Sequence, residues 1–238
     1  MSKNLKITLG SIYLVFLIIF LYFLFSKFDI SRINDFSYYK TIQANIDEII
    51  GSNLTLNLIL YFIFSFMWVV LLGFGSPILL LSGILFGKYI GTFISTFSIS
   101  LGALCLYIVA NFFFSDLVHL IFKDKFSKYI KRFQKNEFYY FFAFRFIGGL
   151  GTPFFLQNVL PVIFKMKNKN YFFASILGLF PHFYIWNTIG AGINKFVKDS
   201  DSFNFLNFIT SNEIYIPLLI FLALIIVSLI IKFFFFND

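Results

Sequence analysis

Charge is what this chain has least of. Asp, Glu, Lys and Arg make up 13% of its 238 residues, while 59% are hydrophobic. Several apolar runs reach the roughly 20 residues that cross a bilayer. That balance excludes a soluble globular or disordered protein and leaves an all-α polytopic membrane protein. Carboxylates are scarce, and none lies between Glu48 and Asp116. Metal-dependent phosphatase chemistry needs clustered carboxylates, which that stretch cannot supply. Cysteine is nearly absent. Cys105 stands alone in mid-span, which excludes an internal disulfide and a cysteine metal cluster. There is no nucleophile elbow, no His-Glu zinc motif and no phosphate-binding Gly-Lys loop. No enzyme activity, metal or cofactor is expected.

What is present begins with a net charge of +8. In so apolar a chain this reads as loop topology and contact with anionic lipid, not as nucleic-acid binding. Phe occurs 40 times, which reflects composition as much as function. The most informative feature is a short break that occurs twice. Gly73-Phe74-Gly75-Ser76-Pro77 and Gly149-Leu150-Gly151-Thr152-Pro153 both read Gly, large apolar, Gly, hydroxyl, Pro, 76 positions apart. At the same offset Leu80 falls on Leu156, Phe97 on Phe173, Leu101 on Leu177, Gly102 on Gly178 and Asn111 on Asn187. The match points to an internal duplication. Gly costs about 1 kcal/mol and Pro about 3 kcal/mol in a helix interior, so neither break continues a helix. Lipid offers no hydrogen bonds, so backbone freed at membrane depth must be buried in protein or line a wet cavity. Interrupted segments at matching places in two halves point to a transporter-like site. The plainer alternative is a kink in each of two buried helices.

The chain then divides as follows. Residues 1–25 are expected to be an uncleaved N-terminal transmembrane helix, entered from a cytoplasmic N-terminus. Residues 26–55 form a polar external segment. Residues 56–114 are a first repeat, a re-entrant hairpin with a return arm over 78–86 followed by a span over 89–114. Gly83 and Gly87, one turn apart, suit close helix packing. Residues 115–137 carry Lys123, Lys125, Lys128, Lys131, Arg132 and Lys135, with Val118, Phe122, Phe126, Tyr129, Ile130 and Phe133 on one face. This is expected to be a separate basic amphipathic helix on the cytoplasmic interface, fixing topology, contacting anionic headgroups, or both. Residues 138–193 are the second repeat, whose span from Tyr171 is interrupted by Gly178 and Pro181. An external loop covers 194–213, and 214–238 is a C-terminal transmembrane helix ending in the cytoplasm. With both termini inside, the two repeats are inverted, a recurrent transporter design.

Arg145 is the leading candidate side chain. An Arg at the centre of a membrane helix costs at least about 2.5–3.5 kcal/mol on insertion scales, so it pairs, lines a pathway or snorkels to the interface. Gln157 and Asn158 are placed either to satisfy backbone freed by the break or to meet a headgroup. Thr152 and Ser76 are the break hydroxyls. His182, beside Pro181, is either a proton relay or a packed histidine. His119 lies on the basic helix and reads as interfacial.

Two stretches carry a family resemblance. The first runs from Gly73 through Pro77 and Gly83 to Gly87. The second runs from Arg145 through Pro153 to Asn158, continuing through Gly178 and Pro181 to Gly190. Together they resemble the DedA superfamily, also called the VTT or SNARE-associated domain family, over residues 56–193. The resemblance implies two opposed re-entrant hairpins and a link to phospholipid scrambling or polyprenyl phosphate recycling. It also implies functional roles for Arg145, Pro153 and Asn158. The chain departs from the family pattern in having Gly148 and Gly149 where many members have Pro. It also lacks the membrane carboxylates near the first hairpin that proton-driven members carry.

The function expected is lipid translocation, of scramblase or flippase type, with a headgroup crossing a polar groove between the hairpin tips. A secondary transporter of a small solute or ion is the alternative, and a non-transporting scaffold the third. Residence in a bacterial inner membrane is expected. Sequence leaves the oligomeric state open.

Overall fold

A computed structural model of the chain describes Ser11, Val15, Ile18, Ile19, Tyr22 and residues 35–72 and 75–236. Most of the first span expected over 1–25, the segment 26–34, and Gly73 and Phe74 of the first break lie outside the described residues. The chain forms two compact units, Met1–Ile42 and Gln43–Asp238. The described residues of the first are helical apart from Asp35. Everything concerning the site lies in the second.

Among the described residues the architecture is all helical, without strands. From residue 36 the order is α1 (Phe36–Ser52), α2 (Leu54–Leu72), α3 (Ser76–Lys135), α4 (Glu137–Phe146), α5 (Phe154–Val159), α6 (Asn168–Asp199), α7 (Phe205–Thr210) and α8 (Asn212–Phe236). Two 3-10 turns, Gly148–Gly151 and Leu160–Phe164, flank α5. Three helical stretches are long and apolar enough to cross a membrane: Leu54–Leu71, Ser76–Phe114 and Asn168–Asp199.

The two break prolines start helices. Pro77 sits in the first turn of α3, and Pro153 caps α5. Both positions suit a residue with fixed φ and no N–H to give. α3 is two limbs, because Gly87 inside it has φ 72° and ψ 178°. Only glycine takes that conformation freely. The Ser82 hydroxyl donates to the Gly91 carbonyl at 2.9 Å. A straight helix would hold these residues about 13 Å apart. The limb 76–86 therefore folds back on the limb that follows Gly87. It also packs on α2, where the Tyr61 hydroxyl donates to the Ile78 carbonyl at 3.0 Å and the Tyr61 ring meets Phe86. Limb 76–86 and α4 are about 15–17 Å long and the segment 154–164, with its 3-10 turn, about 19 Å, all well short of the roughly 30 Å hydrocarbon core. α2 is long enough to cross.

Four expectations need correction. Gly87 is not a packing residue, since a Cβ there would meet nothing within 4 Å; it is a turn. The basic stretch is not a separate helix, because α3 continues through residue 114 to Lys135. No Gly or Pro lies between Gly102 and Lys135 to end it. The side chains of residues 115–129, His119 and the lysines at 123, 125 and 128 among them, lie outside the described residues. Gly178 and Pro181 do not interrupt the second span, since α6 runs unbroken through both. Pro181 removes one backbone donor, and the close packing of α6 holds the helix through that loss. The segment 194–213 is not simply a loop, because α6 extends to Asp199 and α7 occupies part of the rest.

Glycines set the close contacts between helices. A Cβ on Gly83 would run into the backbone of Asn187, and one on Gly190 into the Leu80 carbonyl, so limb 76–86 and α6 meet backbone to backbone. A Cβ on Gly102 would lie 2.9 Å from the Phe66 carbonyl and 3.1 Å from Val69 Cβ. One on Gly178 would lie 2.9 Å from the Phe142 carbonyl and 2.5 Å from Arg145 Cβ. Gly102 and Gly178, Phe66 and Phe142, and Val69 and Arg145 are all separated by the 76 positions that separate the two breaks. The same helix contact is thus built twice at the repeat offset.

Candidate functional site: a cavity between the two breaks

The second break opens α4 at Ile147 and closes at Pro153. Gly148, Gly149 and Gly151 have φ of 72°, 66° and 79°. At Gly149 a side chain has nowhere to go, because a Cβ would overlap the amide group of Gln157. The freed carbonyls find partners within the break. The Thr152 backbone N–H and hydroxyl both donate to the Gly149 carbonyl, at 3.0 and 2.7 Å. Gln157 Nε2 donates to the carbonyls of Thr152 at 2.8 Å and Gly148 at 3.4 Å.

Arg145, in the last turn of α4, is fully buried at 0% exposure. It does not snorkel. Its guanidinium donates from Nη1 to Gln157 Oε1 at 3.3 Å, and from Nη2 to Asn158 Oδ1 at 2.7 Å and Tyr171 Oη at 3.0 Å. The Phe141, Phe154 and Tyr171 rings lie 4.8, 5.3 and 5.7 Å from its centre. Arg145 Nε has no partner. Among the described residues no carboxylate pairs with it. Glu137, the acid at the start of α4, is buried and turned toward the start of α6, accepting from the Lys167 N–H at 3.3 Å and Asn170 Nδ2 at 2.6 Å. A full positive charge is therefore held by neutral dipoles and ring faces alone.

That charge borders a cavity of about 540 Å³ lined from both breaks. Gly75 and Ser76 come from the first, and Ile147, Gly148 and Gly151 from the second. Phe154 and Gln157 of α5, Leu179, His182, Phe183 and Trp186 of α6, and Phe221 and Ile225 of α8 complete it. The lining is mainly apolar, with Arg145, Gln157, His182 and Ser76 as its polar side chains. Ser76 and Ile225 are exposed, so the cavity reaches the protein surface.

The candidate residues thus separate by position. Gln157, Ser76, Gly75 and Gly151 face the cavity, and Arg145 stands within its wall with no surface of its own exposed. Asn158 is fully buried behind Arg145 and holds it. Thr152 ties the break together, and Pro77, Pro153, Gly83, Gly102, Gly178, Gly149 and Pro181 shape the frame. Gly73 lies outside the described residues.

Residues 72–192, half the chain, match the family model for the VTT domain. The chain belongs to the VTT-domain family. With its long apolar helices it is a membrane protein of the DedA and SNARE-associated group. No solved structure matches it.

Within this VTT protein the glycine pair of the second break has a structural reading. Gly148 and Gly149 hold positive φ that proline cannot adopt, since its ring fixes φ near −65°. Two parts of the site escaped sequence reading. Tyr171 opens an apolar span with no local signal of a polar role; it is fully buried, linking Arg145 to the Ala103 and Asn158 carbonyls. The α8 wall at Phe221 and Ile225 carries no local signal, because a uniformly apolar helix does not mark which face meets a cavity.

Proposed function

We propose that this VTT protein translocates lipid, passing a phosphate headgroup through the cavity between the breaks while the acyl chains remain in the bilayer. One observation carries the reading. Arg145 is buried, has no carboxylate partner among the described residues and borders a surface-reaching cavity that both breaks line. A lipid phosphate entering there supplies the missing anion, and charge-assisted contacts of this kind are the strong ones. The mainly apolar lining favours a lipid over a water-soluble solute, which would need polar groups on more of the wall. The short limb 76–86, α4 and segment 154–164 support the reading of the breaks as tips of re-entrant hairpins. In this reading the two repeats lie inverted, with both termini and residues 115–137 cytoplasmic and residues 26–55 outside.

The test uses purified full-length protein in liposomes carrying fluorescent phospholipid, with dithionite to quench the outer leaflet. A polyprenyl phosphate is measured in parallel. Protein-containing vesicles should lose more than the outer-leaflet half of the signal. Quenching no deeper than in empty vesicles, for every lipid tried, would overturn lipid translocation and leave a solute carrier or a scaffold.

A further inference from the structure

Beyond Arg145, the cavity holds one more group able to carry positive charge. His182 lines it from α6, four residues beyond Gly178, the glycine against which Arg145 Cβ packs. Residues four apart share a helix face, so His182 sits about one turn along α6 from the arginine contact. Its Nδ1 is buried without a hydrogen-bond partner. Its Nε2 lies over Gly148, 3.5 Å from where a Cβ would stand. An unpaired buried polar atom is costly, and packing alone gives Nδ1 no carbonyl or hydroxyl here. This one is held at the cavity with hydrogen-bonding capacity unspent.

The groups facing His182 across the cavity can be named element by element. Limb 76–86 of α3 and the residue before it present Gly75, Ser76 and Leu79. α4 presents Arg145, and the break presents Ile147, Gly148 and Gly151. α5 presents Phe154 and Gln157, and α8 presents Phe221 and Ile225. Arg145 is the one permanent charge among them, and among the described residues no carboxylate faces the histidine. Protonation of His182 therefore takes the cavity's formal charge from one to two.

We infer that His182 is the proton-linked headgroup contact of this cavity, gaining a proton as it takes a lipid phosphate and losing that proton as the phosphate leaves. The inference rests on the phosphate-path reading of the cavity. The balance is simple. No covalent bond changes apart from one N–H: a proton from water adds to an imidazole nitrogen, the imidazolium faces the phosphodiester anion, and water recovers the proton on release. Proton dependence then needs none of the membrane carboxylates that the first repeat lacks. The test therefore covers about pH 5 to 8, the range in which an unperturbed imidazole changes charge.

The experiment measures dithionite-detected translocation of fluorescent phosphatidylglycerol by the full chain in liposomes, at pH values across that range. A phosphodiester does not titrate there, and protein-free vesicles measured at each pH correct for the acid decay of dithionite, so any remaining slope belongs to the protein. The wild type should be about tenfold faster at the acid end, the gain expected of one added charge-assisted hydrogen bond. His182→Gln should be slow and flat. His182→Lys, charged throughout, should hold the acid-end rate at every pH. His119→Gln, which removes the only other histidine, should keep the wild-type slope. A wild-type rate that is flat with pH, a slope that survives in His182→Gln, or a slope lost in His119→Gln overturns the proton-linked role while leaving lipid translocation intact. No translocation at any pH overturns the path itself, and this inference with it.

Discussion

Replacing Arg145 should drive activity and stability in opposite orders, and the structure sets the magnitudes. The guanidinium makes three hydrogen bonds from two nitrogens, to Gln157, Asn158 and Tyr171. Hydrogen bonds to a charged group contribute about 1.5–3 kcal/mol each. Against them stands the cost of burying a charge with no counter-charge, several kcal/mol after relaxation. Arg145→Lys keeps that cost. Its single nitrogen cannot reproduce a fork that serves Gln157 from one side and Asn158 with Tyr171 from the other. Losing at least one bond, it should be destabilised by about 2–3 kcal/mol. Arg145→Gln sheds the cost of the buried charge and offers an amide to the same acceptors, so its stability should stay within about 2 kcal/mol of the wild type.

Activity should rank the other way. The lysine retains a point charge for a phosphate and should keep partial translocation, down about tenfold. The glutamine should fall about a hundredfold, the upper end for one lost charge-assisted contact. The assay pairs dithionite-detected translocation with thermal denaturation in detergent for the same preparations. If glutamine is lowest in both measurements, Arg145 is a structural clamp. Full activity in Arg145→Gln would falsify any transport role for it.

Three further outcomes follow from the geometry. Gly149→Ala combines a left-handed φ with overlap onto Gln157 and should cost more than Gly151→Ala, where only the backbone penalty of about 1–2 kcal/mol applies. Gly75→Ala, with φ −117° and Phe154 at an ordinary 3.9 Å, should be tolerated, and thermal midpoints of the three variants check the order. Gly102→Ala and Gly178→Ala press a Cβ onto carbonyls at the same 2.9 Å and should each lose about 1–3 kcal/mol; stability unchanged in either would sink the equivalence of those contacts. A cysteine placed at exposed Asn45 should label from outside the cell and one at Lys128 should not, and the reverse pattern would remove the inverted arrangement.

What the sequence made legible was the chemistry that glycine, proline and charge impose. The breaks are where two glycines and a proline forbid a helix, and Arg145 stands out because a charge in an apolar arm must be accounted for. The errors came where the same residue types serve more than one purpose. Gly87 and Gly83 look alike in sequence, yet one is a turn and the other a contact; only the path of the chain distinguishes them. Pro181 looked like an interruption because a proline weakens a helix, but α6 is packed closely enough to carry it. The change from apolar to basic residues near residue 114 suggests the end of a spanning helix. Polarity marks where a membrane would end, and α3 has no residue there to stop its backbone hydrogen bonds.

The duplicated frame also explains why one half carries the charge. At the repeat offset, Arg145 corresponds to Val69, Gln157 to Leu81, Asn158 to Ser82 and Tyr171 to Ser95. The glycine contact beneath these positions is the same in both halves, so the backbone geometry alone does not demand an arginine. Val69 fills its place fully buried, with no polar requirement at all. Where the arginine stands, all three of its hydrogen-bond acceptors are present in the same half; where the valine stands, the positions equivalent to those acceptors hold a leucine and two serines. A charge without its shell would be an uncompensated cost, and a shell without its charge would leave buried acceptors unpaired. The four residues therefore form one physical unit. A graft that places arginine at Val69 alone should destabilise the protein, while Val69→Arg combined with Leu81→Gln, Ser82→Asn and Ser95→Tyr should recover part of the loss. Thermal stability of the single and fourfold variants decides it: equal losses would mean that the shell contributes nothing to holding the charge, and that Arg145 is tolerated for reasons of packing alone.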